Sequence, residues 1–404
     1  MHHFLSSRIR AMAESATLAM HSLTQSLQAQ GHHICDLTLG EPNFITPYSI
    51  QEAAKQAIDT GKYFSYPPVA GYKDLREAIA KKLKHENKIV CEPNQIIVST
   101  GAKQSLSNLF FCLLDPGDEI IVFTPYWVSY ASNIELAGGK CVFIKGSKER
   151  HYEPTSEQLE QAITPKTKAI IYSSPSNPSG LVLSKESLLG IAEVLERHPH
   201  VLVIADEIYE YIHFTEGLTS IGSIDKIKDR VVTVNGFSKG YAMTGWRVGY
   251  LAAPLWLAKA CEKIQGQLTS ATCSIAQRAA LAAFDVEPKI IQEMRDTYRR
   301  RRDLAIKYIQ HMPGITCNIP LGAFYLFPDI SHYFGHTDGK VVIKNADDFC
   351  MYLLQEAKVS TVSGTGFGNP HCIRISYATS DEVIREGMER IQKALQKLYP
   401  TTSA

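Results

Sequence analysis

The chain has 404 residues and a mass of 44.9 kDa, enough for two or three domains or for one large domain carrying a smaller one. Hydrophobic residues make up 45% and charged residues 21%, which excludes a chain that is disordered, collagenous or coiled coil throughout. The net charge is +1, from 42 Lys and Arg against 41 Asp and Glu, so no overall attraction to nucleic acid or to anionic membranes is expected.

Signals for targeting and for metal binding are negative. The nine cysteines form no CxxC pair, and the pairs His2-His3 and His32-His33 lack an HExxH pattern or an acidic cluster, so no disulfide framework and no metal site are predicted. No apolar run approaches the ~18 residues of a membrane span, and the N-terminal stretch lacks the apolar core of a signal peptide. We therefore expect a cytoplasmic protein without a membrane segment.

Apolar runs alternate with helical patterns over much of the chain. Most of these runs are unbroken, which is typical of strands buried on both faces of a parallel sheet. Helical patterns such as 103–114 and 184–198 lie between them and indicate α/β crossovers. The sequence therefore predicts an α/β fold with a mostly parallel central sheet. The predicted strands span 95–100, 118–125, 140–146, 168–175, 201–209, 230–238 and 248–254.

The pattern changes in the last third of the chain. A long amphipathic helix is predicted at 288–312, and its four consecutive arginines (299–302) are interpreted as a solvated face with buried stems rather than as a nucleic-acid contact. Shorter strand patterns and a last helix at 382–398 follow. We expect a large domain over 46–287 and a smaller α+β domain that combines 1–45 with 288–404.

Four features lie where predicted strands end, the edge at which open α/β sheets bind ligands. Asp206 ends one buried strand, and Lys239 follows the next, where a lysine of lowered pKa can form a Schiff base. Arg247 enters a buried strand and needs an anionic partner, and Gly101-Ala102 opens a helix whose N-terminus attracts phosphate. Each feature alone also has an ordinary explanation: a helix cap or ion pair, a surface lysine, a tight turn.

Together these features describe a ligand with a cationic ring nitrogen, an aldehyde and a phosphate. Pyridoxal 5′-phosphate (PLP) carries all three groups, which match Asp206, Lys239 and Arg247 in turn. Trp127 adds a flat apolar surface that can stack on such a ring, although core packing explains it equally well.

Nearly the whole chain, from SSRIRAM (6–12) onward, resembles a known family. It is similar to the class I, fold-type I PLP-dependent aminotransferases, and most similar to their bacterial aspartate aminotransferase subgroup. The resemblance implies a fold-type I architecture and a homodimer with shared active sites. The matching segments are GEPNF (40–44), YPPVAGYKDLREAI (66–79), STGAKQSL (99–106), LDPGDEIIVFTPYWVSY (114–130), SPSNPSG (174–180), ADEIYE (205–210), SKGYAMTGWRVGY (238–250), GAFY (322–325) and RISYATS (374–380).

The resemblance implies a role for each matching residue at the cofactor. Lys239 would hold PLP as an internal aldimine, and Asp206 would keep the pyridine nitrogen protonated. Tyr209 and Asn177 would hydrogen-bond the phenolic oxygen, and the Asn177-Pro178 bond is a candidate cis peptide. Trp127 would stack on the ring, Gly101, Ala102 and Arg247 would hold the phosphate, and Tyr66 would reach the phosphate of the neighbouring subunit.

The resemblance also implies how a substrate is held. Arg374 would bind the α-carboxylate, beside Gly40, Trp127 and Asn177. Lys103, assisted by Thr17, would pair with a side-chain carboxylate, unless Lys103 is merely an exposed lysine of the first helical turn. This predicts transamination from aspartate to 2-oxoglutarate, giving oxaloacetate and glutamate by ping-pong kinetics, with Lys239 as the base.

Several alternatives stay open. Ala13-Glu14 stands where close relatives more often have a basic residue and proline, and Tyr72 where they often have an aliphatic residue, so aromatic amino acids or prephenate are alternative substrates. A C–S lyase of the same fold is an alternative enzyme. The glycine-rich 363–368 does not fit GxGxxG and is interpreted as a loop leading to Arg374 rather than as an NAD(P) site. A non-catalytic PLP-binding regulator would need an extra DNA-binding segment, for which the chain leaves no residues.

Overall fold

The computed structural model describes residues 4–12 and 16–401. Within these two stretches, no helix combines the length and the hydropathy that crossing a bilayer requires. The α-helices are α1 (Ser7–Ala11), α2 (Ala16–Ala29), α3 (Tyr48–Asp59), α4 (Lys73–Lys82), α5 (Ala102–Leu113), α6 (Ser129–Leu136), α7 (Ser156–Ala162), α8 (Lys185–Arg197), α9 (Leu255–Leu268), α10 (Ser274–Ala282), α11 (Pro288–Ile309), α12 (Ala346–Tyr352) and α13 (Asp381–Leu395). The strands are β1 (Cys35–Asp36), β2 (Ile96–Ser99), β3 (Glu119–Thr124), β4 (Lys140–Lys145), β5 (Thr167–Ser173), β6 (Leu202–Asp206), β7 (Val231–Gly236), β8 (Gly249–Ala252), β9 (Tyr325–Leu326), β10 (His336–Thr337), β11 (Val359–Ser360), β12 (Val362–Ser363), β13 (Ile373–Ser376) and β14 (Tyr399–Pro400).

A seven-stranded sheet in the order β2-β8-β7-β6-β5-β3-β4 forms the centre of the structure. Strands β7, β6, β5, β3 and β4 are parallel to one another, whereas β8 is antiparallel to both β2 and β7. The segment 237–248 between β7 and β8 consists of turns, and a parallel return requires a longer crossover. The predicted α/β fold with a mostly parallel central sheet is confirmed.

Both faces of the sheet are buried, which explains the unbroken apolar runs. In β3, Ile120 and Val122 belong to the core on one face, whereas Ile121 and Phe123 belong to the core on the other. Successive residues of the strand therefore belong to cores on opposite faces of the sheet. Neither face can accept the polar residues of a half-exposed strand.

A further apolar core joins the two ends of the chain. Cys35 and Leu37 pack in one cluster with residues of β9, β13, α11 and α13. Here β1 pairs in parallel with β11, and β12, β13 and β9 form an antiparallel sheet. This core agrees with the expected two-part organisation, although the proposed limits of 46–287 for the large domain remain a prediction.

One of the four arginines of α11 is not on a solvated face. Arg301 is only 8% exposed, and its guanidinium donates to Asp381 Oδ1 over 3.0 Å and to Asn43 Oδ1 over 2.8 Å. A buried arginine is tolerated because it is paired. It thereby ties α11 to the start of α13 and to the N-terminal segment, so the predicted solvated face is wrong at this position.

Candidate active site

A cavity of about 470 Å³ lies at the carboxyl ends of β5 and β6, beside the N-terminus of α5. Residues of α2 and β13, from the core at the chain ends, complete its wall. Parallel strands bring their carboxyl ends to one edge, where α/β sheets bind ligands. The cavity collects most of the predicted site residues: Thr17, Gly40, Ala102, Lys103, Trp127, Asn177, Asp206, Tyr209, Lys239, Arg247 and Arg374.

Two predicted site residues lie outside this lining. Gly101 caps α5 with φ of 79°, and a Cβ built on it would collide with the Arg247 guanidinium. Glycine therefore lets the helix begin directly against that side chain. Tyr66 is 92% exposed, so its predicted contact with a neighbouring subunit stays a prediction.

Asp206 is a buried carboxylate at the last residue of β6. Its Oδ2 accepts a hydrogen bond from the Tyr130 hydroxyl over 2.6 Å, and its Oδ1 accepts one from the Ile208 amide over 3.3 Å. Burial raises the pKa of Asp206 to about 6, against the opposing effects of these two bonds and of the Lys239 charge. The Asp206 carboxyl is therefore mostly ionised at neutral pH, and a cation beside it would favour the ionised form.

Lys239 lies three residues beyond β7 and lines the cavity. Its ammonium group donates to the Gly40 carbonyl oxygen and lies 5.8 Å from the centre of the Tyr209 ring. Burial lowers the pKa of Lys239 to about 8, an effect that the Glu41 carboxylate opposes and the Arg374 charge reinforces. An appreciable fraction of this amine is therefore neutral, and nucleophilic, near neutral pH.

Arg374 on β13 is a fully buried guanidinium. It donates to the Thr38 carbonyl oxygen over 2.7 Å and to Asn177 Oδ1 over 3.1 Å, and it lies between the rings of Tyr325 and Phe367 at 4.5 and 5.0 Å. Its Nε has no hydrogen-bond partner among the described residues, and no carboxylate within 4–12 or 16–401 pairs with it. Burial lowers the pKa of Arg374 from its usual value. Such a cation is a ready receptor for a ligand carboxylate.

The hydroxyls of Tyr209 and Tyr325 are hydrogen-bonded to each other over 2.9 Å at the same wall. Burial raises the pKa of Tyr209 well above its usual value, so its hydroxyl stays protonated and can donate. The neighbouring Asn177-Pro178 peptide bond is cis, as predicted, and two further cis prolines are Pro125 and Pro175.

Lys103 and Thr17 also line the cavity. The Lys103 ammonium lies 5.0 Å from the centre of the Trp127 ring, and the pKa of Lys103 is lowered, first by desolvation and then by the Arg247 charge. Thr17 Oγ1 is buried without a hydrogen-bond partner within the described part of the chain. A cation and an unpaired hydroxyl in the lining of the same cavity suit an anionic group of a ligand.

Comparison with known proteins identifies the family. The family model "aminotransferase class I and II" matches residues 32–391. The chain belongs to this family. It is 43% identical to an aspartate/prephenate aminotransferase of Cereibacter sphaeroides over 96% of the chain and 98% of the relative. It is 40% identical to an aspartate aminotransferase of Bacillus subtilis over 97% of the chain and 99% of the relative. It superposes on the crystal structure of the aspartate aminotransferase from Rhizobium meliloti with a TM-score of 0.94, at 39% identity and over 98% and 99% of the two chains.

The predicted fold-type I architecture and the predicted aminotransferase activity are thereby confirmed. Aminotransferases of this family depend on PLP, whose groups match the chemistry of the cavity: an ionised acid, an amine and a cation beside a helix N-terminus.

Sequence reasoning missed three residues of this aminotransferase site. Tyr130, Tyr325 and Thr38 make the hydrogen bonds that hold Asp206, Tyr209 and Arg374. Tyr130 and Tyr325 stand inside PYWVSY and GAFY, two segments that match the family. This match was the signal from which they could have been found. Their partners lie 76 or more positions away in the chain, so only the folded structure pairs them.

The structure gives different outcomes for the sequence positions that were considered for substrate choice and for an alternative function. Tyr72 lies outside the cavity lining, so it does not widen the cavity of its own chain. The centre of its ring lies 4.2 Å from the Arg278 guanidinium instead. Ala13-Glu14 lies outside the described residues. The glycine-rich 363–368 forms a turn in which the Gly364 amide donates to the Cys372 carbonyl oxygen over 2.8 Å, and it leads into β13 as predicted.

Proposed function

We propose that this aminotransferase binds PLP in the cavity and transfers the amino group of aspartate to 2-oxoglutarate, giving oxaloacetate and glutamate. The observation that carries the proposal is the buried Arg374, held by two hydrogen bonds with no acidic partner among residues 4–12 and 16–401, on the wall of the cavity that Lys239 enters. A guanidinium so placed binds the α-carboxylate of an amino acid, while a lysine amine serves the reacting carbon.

Three groups support PLP as the cofactor. Asp206, held by Tyr130, supplies the anion that a protonated pyridine nitrogen needs. Arg247 and the free amides at the start of α5 supply donors for a phosphate. A Cβ at Gly101 would fill the space between those two donors, and glycine leaves it clear. Lys239 lies in the same cavity and supplies the amine for the aldehyde.

When bound, PLP supplies a carbonyl for the substrate amine and a ring that withdraws electrons from the substrate Cα. Arg374 fixes the α-carboxylate and so orients the bond to the Cα proton. Lys239 Nζ, of lowered pKa, would take that proton and would hold it until it is passed on, while the Tyr209 hydroxyl would donate to the developing negative charge. One 2-oxo acid leaves before the next enters, so the kinetics are ping-pong.

Lys103 and Thr17, in the lining of the same cavity, support a dicarboxylic substrate. Lys103 places a cation, and Thr17 an unpartnered buried hydroxyl, where a side-chain carboxylate can be met. The B. subtilis relative bears the name aspartate aminotransferase. Prephenate is a second candidate, because the C. sphaeroides relative, 43% identical, is named for both aspartate and prephenate.

We propose a homodimer in the cytoplasm as the working form. Ile45, Phe64 and Tyr66 are 84%, 70% and 92% exposed, which is unusual for large apolar side chains on one short stretch. Thr46 ties this stretch to the turn before Arg247, donating to the Ala242 carbonyl oxygen over 2.7 Å. A second subunit covering the stretch would bring Tyr66 to a neighbouring phosphate site. Free cysteines agree with a reducing compartment.

A panel of amino donors with 2-oxoglutarate tests the proposal. Purified enzyme loaded with PLP is given aspartate, phenylalanine, alanine and cysteine, and glutamate formation is followed. We expect the highest kcat/KM for aspartate. Prephenate with aspartate as donor tests the second candidate. Pyruvate and ammonia from cysteine without glutamate would instead indicate a lyase, and an absence of glutamate with every donor would contradict the proposal.

A further inference from the structure

A buried lysine lies behind the segment 206–211, which carries two of the cavity residues. Lys82 is the last residue of α4 and is only 6% exposed. Its ammonium group donates to Asn87 Oδ1 over 2.8 Å and to the Glu210 carboxylate, whose side chain is also buried. The Glu86 carboxylate lies 3.8 Å away, but it is half-exposed and therefore screened by water. A lysine is almost never buried unless it is paired, and Glu210 is the buried partner here.

The turn Leu83–Asn87 brings Lys82 and Asn87 together. This turn is π-helical, a form in which residues five apart are hydrogen-bonded. In an α-helix, five residues correspond to a net rotation of about 140°, so the two side chains would point to different sides. Asn87 Nδ2 donates to Glu210 Oε2 over 2.9 Å and to Glu207 Oε2 over 3.1 Å. One lysine and one asparagine thus hold two carboxylates.

Each of these carboxylates belongs to the residue next to a cavity residue. Glu207 follows Asp206, and Glu210 follows Tyr209. Asp206 and Tyr209 line the cavity, whereas the two glutamates lie outside its lining. The remaining oxygen of Glu207 accepts from the Ser220 hydroxyl over 2.5 Å. Holding the glutamates therefore fixes the backbone from which the two cavity side chains project.

The same lysine is connected to the turn that carries Lys239. The Lys82 ammonium lies 5.4 Å from the centre of the Tyr211 ring, and the Tyr211 hydroxyl donates to Glu86 Oε2 over 2.6 Å. A Cβ built on Gly240 would lie 2.4 Å from Tyr211 Cδ2, so this ring packs directly against the residue after Lys239. Three residues suited to the cofactor therefore have neighbours that meet at Lys82.

The charge of Lys82 offsets a repulsion between the two glutamates. Burial raises the pKa of Glu207 to about 7, an effect that the Ser220 hydrogen bond and the Lys82 charge oppose and the Glu210 charge reinforces. Without Lys82, two buried like charges would share only the Asn87 amide. Removing one partner of a buried ion pair leaves the other charge uncompensated, which is strongly destabilising.

We propose that Lys82 is a positioning residue of the cofactor site: through Glu210 it holds the segment 206–211, so that Asp206 and Tyr209 are correctly placed for PLP. This inference rests on the proposed binding of PLP and adds to it a residue that touches neither cofactor nor substrate.

The test uses Lys82→Met, Glu210→Gln and a matched control, Arg230→Met. Arg230 also binds three oxygens, the carbonyl groups of residues 195, 198 and 201, but at the opposite end of β6. Titrating each cofactor-free enzyme gives the dissociation constant for PLP, and urea unfolding gives the stability. The visible circular dichroism of bound PLP reports how the ring is held, because the free cofactor is achiral.

All three substitutions are expected to lower stability, but only two of them should affect the cofactor. In Lys82→Met we expect the dissociation constant for PLP to rise about tenfold and the visible circular dichroism to change. At saturating PLP, kcat should fall while the KM for aspartate stays within about twofold, because Arg374 keeps its partners. In Glu210→Gln the loss of PLP affinity should be about threefold, since an amide oxygen still accepts from Lys82. The double variant should lose no more affinity than Lys82→Met, because both changes remove the same bond.

The Arg230→Met control should bind PLP with wild-type affinity and wild-type circular dichroism. A folded Lys82→Met that does the same would show that Lys82 only supports the fold, and equal losses in Arg230→Met would show a general effect of instability. Either result overturns the inference. If Lys82→Met does not fold, Glu210→Gln decides, and wild-type PLP affinity there overturns the inference as well. A wild-type enzyme that does not bind PLP would instead overturn the proposed function.

Discussion

At the scale of single residues, Lys239 carries the most demanding prediction. Its amine donates to the Gly40 carbonyl oxygen in the cavity, and its pKa of about 8 suits a base. We expect Lys239→Ala to lower the transamination rate at least ~10³-fold, because no other group replaces the proton transfer. The exposed Lys259→Ala serves as control. Near-wild-type turnover by Lys239→Ala would refute the assignment.

Lys103 is the residue proposed to separate acidic from neutral substrates. Because its ammonium is the cation placed to meet a side-chain carboxylate, Lys103→Ala is expected to raise the KM for aspartate at least about tenfold while leaving the KM for alanine unchanged. Steady-state kinetics with the two donors measure this difference. If both KM values rose together, Lys103 would be acting on the cofactor instead.

The buried Asp206 carboxylate is expected to destabilise the folded protein while it serves the cofactor. Burial raises its pKa to about 6, above the ~3.9 of an unfolded aspartate, so the folded state binds this proton more tightly. The contribution of Asp206 to the free energy of unfolding of the cofactor-free enzyme should therefore fall as the pH rises from about 4 to about 6 and stay low above that.

Asp206→Asn removes that loss. At pH values above about 6 the cofactor-free variant should be more stable than the wild type by on the order of 2 kcal/mol, measured by urea unfolding, while its transamination is impaired. The difference should vanish below about pH 4. A variant that is less stable at neutral pH would show that the Tyr130 bond, rather than burial, dominates at this carboxylate.

The sequence predicted chemistry at the residue scale better than it predicted contacts. Lys239, Asp206 and Arg247 were identifiable because each is a charged residue placed against an apolar run, whereas Arg374 was identified only through the family resemblance. The structure brings all four to one cavity. Their hydroxyl and carbonyl partners, such as Tyr130, were not identifiable, because a tyrosine in an apolar segment is as well suited to plain packing.

At the scale of elements, the start of α5 carries a prediction about the phosphate. Gly101→Ala would drive a Cβ into the Arg247 guanidinium and also strain a backbone at φ of 79°. We expect the dissociation constant for PLP to rise about tenfold or more, measured by titrating the cofactor-free enzyme.

The matched control for this helix start is Gly117→Ala. Gly117 has a φ of 97°, but a Cβ there meets no described atom within 4 Å, so it shares the backbone strain without the collision. PLP affinity should be unchanged in this variant. Equal loss of affinity in both would attribute the effect of Gly101→Ala to general destabilisation.

The apolar runs predicted where the strands lie in the sequence, but they did not predict the direction of each strand in the sheet. The run 248–254 predicts a buried strand, and β8 (Gly249–Ala252) lies there. Its antiparallel direction depends on the turns of 237–248, whose compactness comes from contacts made elsewhere in the fold, such as the bond from Trp246 Nε1 to Thr46 Oγ1 over 3.0 Å.

At the scale of the whole molecule, the shared-site dimer is the prediction to test. Sedimentation equilibrium should give twice the chain mass of 44.9 kDa. Tyr66→Phe should keep that mass but raise the dissociation constant for PLP about tenfold, because only a hydroxyl reaching the phosphate is lost. A monomer at assay concentrations, or unchanged PLP affinity in Tyr66→Phe, would contradict the model of shared sites.

A separate core formed by the last part of the chain could be expected from the change of pattern after the seven strand runs. The route by which Arg301 joins α11 to Asn43 and Asp381 could not, because four like residues in a row give no sign of which one turns inward. Helical rotation decides it: successive residues are separated by about 100°, so one of the four faces the core.

The cavity has a consequence for the order in which the protein becomes functional during synthesis. The groups suited to the cofactor, Asp206, Arg247 and Lys239, lie within the first two thirds of the chain, whereas Arg374 and the strand that carries it emerge from the ribosome much later. Thr38 and α2, made first, must wait for that strand before their wall closes. Among the charged residues of the cavity lining, Arg374 is thus the last to be synthesised, after every charged group suited to the cofactor.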